Sequence, residues 1–230
     1  AVRCTSADIK GKTEGKDFVM KILKNPKGKR QFSLHADDAG KFLRAVDVFG
    51  GMEGGTLSIS GNYDDTKPSP SLKAKVVIID FVMKDAPILG KILSLASLTG
   101  FFDTLQGNGI TFKKLLAPFT LSDDIITLQD AKAYGPAIGI TAEGTVTMPQ
   151  AALAINGTVV PSYTINNVLG KVPLLGDILT GGGEGVFAAT YKVKGTDKEP
   201  DVSVNPLSIL TPGFLRNIFD GKSKQEEEEE

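Results

Sequence analysis

The chain has 230 residues, of which 41% are hydrophobic and 23% charged. This mixture is typical of a folded domain rather than of a disordered or membrane-embedded chain. Its 26 basic and 27 acidic residues nearly cancel, so no overall field attracts nucleic acid, which is excluded as an expected partner. A single cysteine, Cys4, excludes an internal disulfide framework and a cysteine-based metal cluster.

The first third of the chain predicts strands and one short helix. Residues 10–30 are rich in lysine, with Glu14 and Asp17 as the only acids, and are interpreted as a solvated hairpin face or as a contact with anionic headgroups. A strand is expected at residues 31–35. A helix is expected at residues 39–48, with an aspartate at its N-cap.

The segment from Leu72 to Met83 is the most apolar predicted strand, and it follows a shorter one at residues 56–61. From Val76 onward it is apolar on both faces apart from Asp80. Such a strand is expected to be covered on both sides or to lie against an apolar surface.

The second predicted helix spans residues 87–105 and is apolar nearly all round. Only Lys91 and Asp103 are charged in it, and Pro87 stands at its first turn. A helix of this kind has to be buried in protein or pressed against lipid.

The second half of the chain alternates with a period of two, which predicts strands with one buried and one wet face. The pattern is clearest at residues 138–148 and 153–159, and shorter strands are expected at residues 110–118, 125–130 and 186–194. The predicted fold class is therefore mainly β with short apolar helices (α+β). The sheet is expected to be a curved antiparallel meander that forms a groove or open barrel, with the helices capping it.

An internal sequence repeat predicts a duplicated unit within one domain. Residues 87–93 (PILGKIL) recur as residues 173–179 (PLLGDIL), and each copy is followed by a Gly-X-Gly-apolar element. The repeated unit of strand, helix, glycine turn and strand spans about residues 72–119 and 151–194. One domain is expected over residues 1–219, with a disordered charged tail at residues 220–230.

No residues predict catalysis, a metal site or a cofactor. His35 is the only histidine, so a multi-histidine metal site is excluded. The glycine run at residues 181–185 has a helix before it and a strand after it, the reverse of a phosphate-binding loop. The adjacent aspartates at 37–38, 64–65 and 123–124 suit caps and turns. We expect no enzyme.

Five segments resemble the C-terminal region of AsmA-like bacterial envelope proteins: residues 85–100, 105–112, 172–181, 185–191 and 204–216. The resemblance implies a bridge-like lipid-transfer protein with a long β-groove in the periplasm, anchored in the inner membrane by a helix upstream of Ala1. It implies phospholipid as a partner, conducted toward the outer membrane. The inner leaflet of that membrane is the expected membrane contact, and an envelope protein is a further expected partner. It supplies no catalytic residue.

The leading hypothesis is a non-catalytic module that shelters phospholipid acyl chains between the two membranes. The side chains expected to contact lipid or membrane are those of the apolar helical segments: Ile88, Ile92, Leu95, Phe101, Phe102, Leu174, Leu175, Ile178, Leu179, Phe214 and Ile218. The alternative is a structural or assembly module in which these side chains form a closed core, dock an envelope partner or aid outer-membrane protein biogenesis.

Overall fold

The computed structural model describes residues 5–26, 28–66, 69–148, 150–161 and 187–209. In this part of the chain one antiparallel sheet has eleven strands, and each strand pairs with its neighbours in sequence. The mainly β fold class and the antiparallel meander are confirmed. The strands are β1 (Ala7–Thr13), β2 (Lys16–Lys24), β3 (Arg30–Ala36), β4 (Met52–Asp64), β5 (Ser71–Met83), β6 (Ile110–Ser122), β7 (Ile125–Tyr134), β8 (Ile138–Thr147), β9 (Ala152–Pro161), β10 (Phe187–Thr196) and β11 (Pro200–Ile209).

The helices are short, as expected: α1 (Ala39–Ala45), α2 (Pro87–Leu95) and α3 (Thr99–Gln106). The Asp38 side chain caps α1 by accepting from the Lys41 N–H at 3.0 Å. The prediction of one helix over residues 87–105 is wrong, because the chain turns sharply at Ser97, where φ is +60°. The Leu98 N–H there donates to the Leu93 carbonyl at 2.9 Å, which is the Schellman ending of α2.

The sheet is open but strongly curved. Among the described strands, β1 pairs only with β2 and β11 only with β10, so the two ends do not join into a barrel. A flat sheet would hold β5 and β11 about 29 Å apart, at six strand spacings. Yet α2, which follows β5, packs against β11, and Lys91 Nζ donates to the Pro200 carbonyl at 3.0 Å. The strands from β5 to β11 therefore curl around α2.

Residues with positive φ form two of the hairpin turns and interrupt strand β5. Glu14 and Gly15 both have positive φ between β1 and β2, as do Asp123 and Asp124 between β6 and β7, the conformation of a two-residue type I′ turn. Asp80 has a φ of +54° in the middle of β5. Its left-handed backbone interrupts the alternation of the strand, and its exposed carboxylate pairs with Lys113 at 2.9 Å.

The core lies between the helices and the face of the sheet that they cover, which we call the inner face. Its largest fully buried members include Phe81, Phe112, Leu93, Ile110 and Ile138. The rings of Phe81 and Phe112 stack at 5.2 Å between centroids. The other face of the sheet, the outer face, turns away from α2.

Each predicted copy of the duplicated unit contributes a pair of adjacent antiparallel strands. Strands β5 and β6 pair with each other around α2 and α3, and β9 pairs with β10. Residues 162–186, which hold the middle of the second copy, lie outside the described residues. So does the predicted tail at residues 220–230. The duplication and the single domain stay predictions.

Candidate functional site

The candidate site is a part of the inner face that none of the described helices, α1, α2 and α3, covers. On β6, β7 and β8, five large apolar side chains share this face, are half-buried and do not belong to the core cluster. We call this set the open inner patch: Phe119, Leu121, Ile126, Leu128 and Val146.

The strand register makes the open inner patch continuous. Phe119 lies opposite Leu128 and Leu121 opposite Ile126 across β6 and β7, while Ile126 also lies opposite Val146 on β8. Directly opposite side chains on one face are about 5 Å apart at Cβ, so these pairs touch. The result is an apolar surface three strands wide, and its side chains are half-buried in the described part of the structure.

The chemistry of this surface is limited to binding apolar groups. None of its five side chains can donate a proton, accept one or act as a nucleophile. Covering apolar area yields about 25 cal/mol per Å², so a hydrocarbon chain laid across the open inner patch would be held by burial alone. Among the described residues, no group of three or more His, Cys, Asp or Glu side chains could hold a metal ion.

A polar cluster borders the open inner patch on the side of β3 and β4. Arg30 is only 7% exposed, and its Nε donates to both carboxylate oxygens of Asp65 at 3.1 and 3.0 Å. Its guanidinium carbon also lies 4.1 Å from the centroid of the Tyr63 ring. Tyr63 is opposite Leu72, which in turn is opposite Leu121 of the patch. A satisfied ion pair thus closes the apolar surface on this side.

The helical side chains predicted to contact lipid have different positions. Ile92 is 3% exposed and belongs to the core, and Ile88 is half-buried and packs against that core. Leu95 is 50% exposed, so of the three it alone presents a largely free side chain. The α2 residues are divided in this way because the helix is amphipathic around Ile92 and Leu93.

Of the other predicted lipid-contacting residues, two have a described backbone and six lie outside the described residues. Phe101 and Phe102 lie in α3, and their side chains are outside the described part of the structure. Leu174, Leu175, Ile178, Leu179, Phe214 and Ile218 lie outside the described residues. Lipid contact by all these residues stays a prediction.

A polar concavity of about 290 Å³ lies between α1 and β4. It is lined by Asp38, Lys41, Arg44, Glu53 and Gly54. Its charged groups already serve the fold. Asp38 caps α1, Arg44 pairs with Glu14 at 3.6 Å, and Glu53 pairs with Lys84 at 2.8 Å. We therefore assign no function to this concavity.

The residues of the open inner patch were missed as site residues, although most lie in predicted strands. Their alternation was visible in the sequence, but an alternating strand looks the same whether its apolar face is covered or open. The available signal was a mismatch in area, because the three short helices of the described residues cannot cover the inner face of so wide a sheet.

Comparison of the chain with protein-family models, characterised proteins and solved structures finds no significant match. Among the described helices, none has the length and apolarity needed to cross a bilayer. The function is therefore inferred from the open inner patch.

Proposed function

We propose that this chain is a non-catalytic lipid-binding and lipid-transfer module of an envelope-spanning protein. In this proposal it lies in the periplasm, as part of a protein anchored in the inner membrane, and shelters phospholipid acyl chains between the inner and outer membranes. The observation that supports the proposal is the open inner patch, an apolar surface on the concave side of a curved sheet.

The energetics favour a surface of this kind for lipid transfer. Exposing an acyl chain to water costs about 0.8 kcal/mol per CH₂, so a chain of about fifteen carbons costs on the order of 12 kcal/mol. An apolar surface that replaces water along the chain removes much of this barrier without any reactive group. The absence of ionisable side chains among the five patch residues fits that task, because a buried unpaired charge would oppose binding.

In this proposal the curved sheet is the wall of a groove and the open inner patch is part of its floor. The helix α2 caps the groove on one side, where Ile92 is buried, and the Arg30–Asp65 pair bounds it on another. Leu95, which is half exposed on α2, is placed to meet lipid or membrane beyond the cap.

Native mass spectrometry of the purified chain tests the proposal, with Leu128→Asp as the disrupting variant. Leu128 faces the open inner patch, while its neighbour Thr127 lies on the outer face of the same strand, so Thr127→Asp is a matched control. We expect phospholipid to remain bound to the wild type and to Thr127→Asp, and to be lost from Leu128→Asp. Circular dichroism checks that each variant is folded.

Leu128→Ser is a milder variant for the same test if the aspartate unfolds the domain. The proposal would be wrong if the wild-type protein carried no phospholipid. It would also be wrong if a folded Leu128→Asp variant retained phospholipid. Stoichiometric capture of an envelope protein by the same patch, with no lipid present, would favour the assembly module instead.

A further inference from the structure

The outer face of the sheet carries an unusual surface over β5, β6 and β7. Apolar side chains stand at its centre with three lysines around them. The exposed acids beside it, Asp80 and Asp130, pair with Lys113 and Lys132. We call these seven residues the outer patch: Val77, Ile79, Leu116, Tyr134, Lys73, Lys75 and Lys114.

The register of the strands sets the apolar and basic groups side by side. Lys114 lies between Ile79 on β5 and Tyr134 on β7, and these two neighbours are 45% and 42% exposed. In the next row, Leu116 lies opposite Val77. The exposed parts of Ile79 and Tyr134 thus flank a lysine on a surface that lies across the sheet from the core.

Every charged side chain of the outer patch is positive. Among the described residues, no acidic group forms an ion pair with Lys73, Lys75 or Lys114, whereas Lys132 pairs with Asp130 at 2.9 Å. The β4 positions on the same face are Thr56, Ser58 and Ser60, opposite Ile79, Val77 and Lys75. Because the chain as a whole has a formal net charge of −1, this positive surface is a local excess.

We propose that the outer patch docks onto the surface of a lipid bilayer that contains anionic lipids. Lysines near such a surface are attracted to the headgroups, while their methylene stems lie along apolar neighbours. Tyrosine favours the boundary between headgroups and hydrocarbon, and Ile79 can enter that boundary.

An acidic protein would also attract these lysines, but the shape of the surface favours a bilayer. Residues that dominate protein interfaces fill well-packed, fully desolvated pockets. Ile79 and Tyr134 instead stand up from a sheet face. This docking surface is opposite the open inner patch, so it goes beyond the proposed function and does not depend on it.

Co-sedimentation with vesicles tests the docking surface. The probes are vesicles of phosphatidylcholine alone and vesicles of phosphatidylcholine mixed with phosphatidylglycerol. The variant is K73Q/K75Q/K114Q, and the matched control is K10Q/K192Q/K194Q, which removes the same charge from exposed lysines of β1 and β10. We expect the wild type to bind the mixed vesicles and the patch variant to bind them roughly a hundredfold more weakly, the loss expected for three lysine contacts.

The control should bind within a few-fold of the wild type, and Ile79→Ser should weaken binding without changing its salt dependence. Equal losses in the two triple variants would overturn the proposal, because net charge rather than the outer patch would then control binding. Failure of the wild type to bind mixed vesicles would also overturn it. Retention of phospholipid in native mass spectrometry is a separate measurement, so either proposal can fail alone.

Discussion

Two positions on strand β8 show how one sequence pattern produces two different surfaces. Ile138 and Val146 both face inward, but Ile138 is fully buried in the core with Ile92 and Leu93 of α2, whereas Val146 is half-buried in the open inner patch. The strand alternates in the same way at both. Residues elsewhere in the chain decide which part is covered, so burial at the two positions is a property of packing rather than of the strand.

Truncation of one phenylalanine from each region gives the largest expected contrast. Phe112→Ala should lower the free energy of unfolding by about 4 kcal/mol, because it leaves a cavity in the covered core and removes the stacked partner of Phe81. Phe119→Ala, in the open inner patch, should cost only about 2 kcal/mol, since a half-buried ring has less contact to lose. Chemical denaturation of both variants measures the difference.

Both substitutions replace the same residue type on the same strand, so differences in helix or strand propensity cancel. Equal losses would mean that the open inner patch is packed as tightly as the core, and the comparison between the two regions would fail.

The covered region also contains a buried phenol, and this gives it a pH dependence that the open inner patch lacks. Tyr191 lies over Gly157 and donates to the Thr141 carbonyl at 2.6 Å, and burial raises the pKa of its hydroxyl above the ordinary value. The folded state therefore favours the neutral phenol. Its contribution to stability is complete below about pH 10, the pKa of an unfolded tyrosine, and declines as the pH rises above it.

Tyr191→Phe tests this contribution. At neutral pH it should lower the free energy of unfolding by about 1 kcal/mol through loss of the hydrogen bond. Above about pH 10 the gap should narrow, because only the wild type has to keep a buried phenol neutral. Unfolding curves across this range measure it, and a gap that widens with pH would contradict the assignment.

Much of the sheet could be predicted from the sequence. The period of two located β8 and β9 because their inward residues, such as Ile138, Ile140 and Val159, have no interruption. In β5 the alternation fails at Asp80, since a left-handed residue changes which face the following side chains occupy. The sequence showed an isolated aspartate in an apolar run, but not that its backbone would kink.

The position of the apolar segment that forms α2 could not be predicted from the sequence. Its apolar character was read as excess surface for lipid, yet Ile92 is in the core because the curled sheet brings β11 against α2. That contact joins residues more than a hundred positions apart, as between Lys91 and Pro200, and no local pattern encodes it. The open inner patch follows from the same curvature and was equally hidden.

The end of α2 offers the smallest and most local test, because it separates α2 from α3 above the core. Ser97 has a φ of +60°, which costs a residue with a side chain about 1 kcal/mol and glycine almost nothing. Ser97→Gly should therefore raise the free energy of unfolding by about 0.5 kcal/mol, after the greater entropy of glycine in the unfolded chain is included.

Ser94→Gly is the control, since Ser94 is exposed within the helix and glycine there should lower stability by about 0.5 kcal/mol. Opposite signs in thermal or chemical unfolding would show that the helix has ended before Ser97, whose backbone is left-handed. If both changes destabilise the protein equally, the helix continues through residue 97 and the assigned end of α2 is wrong.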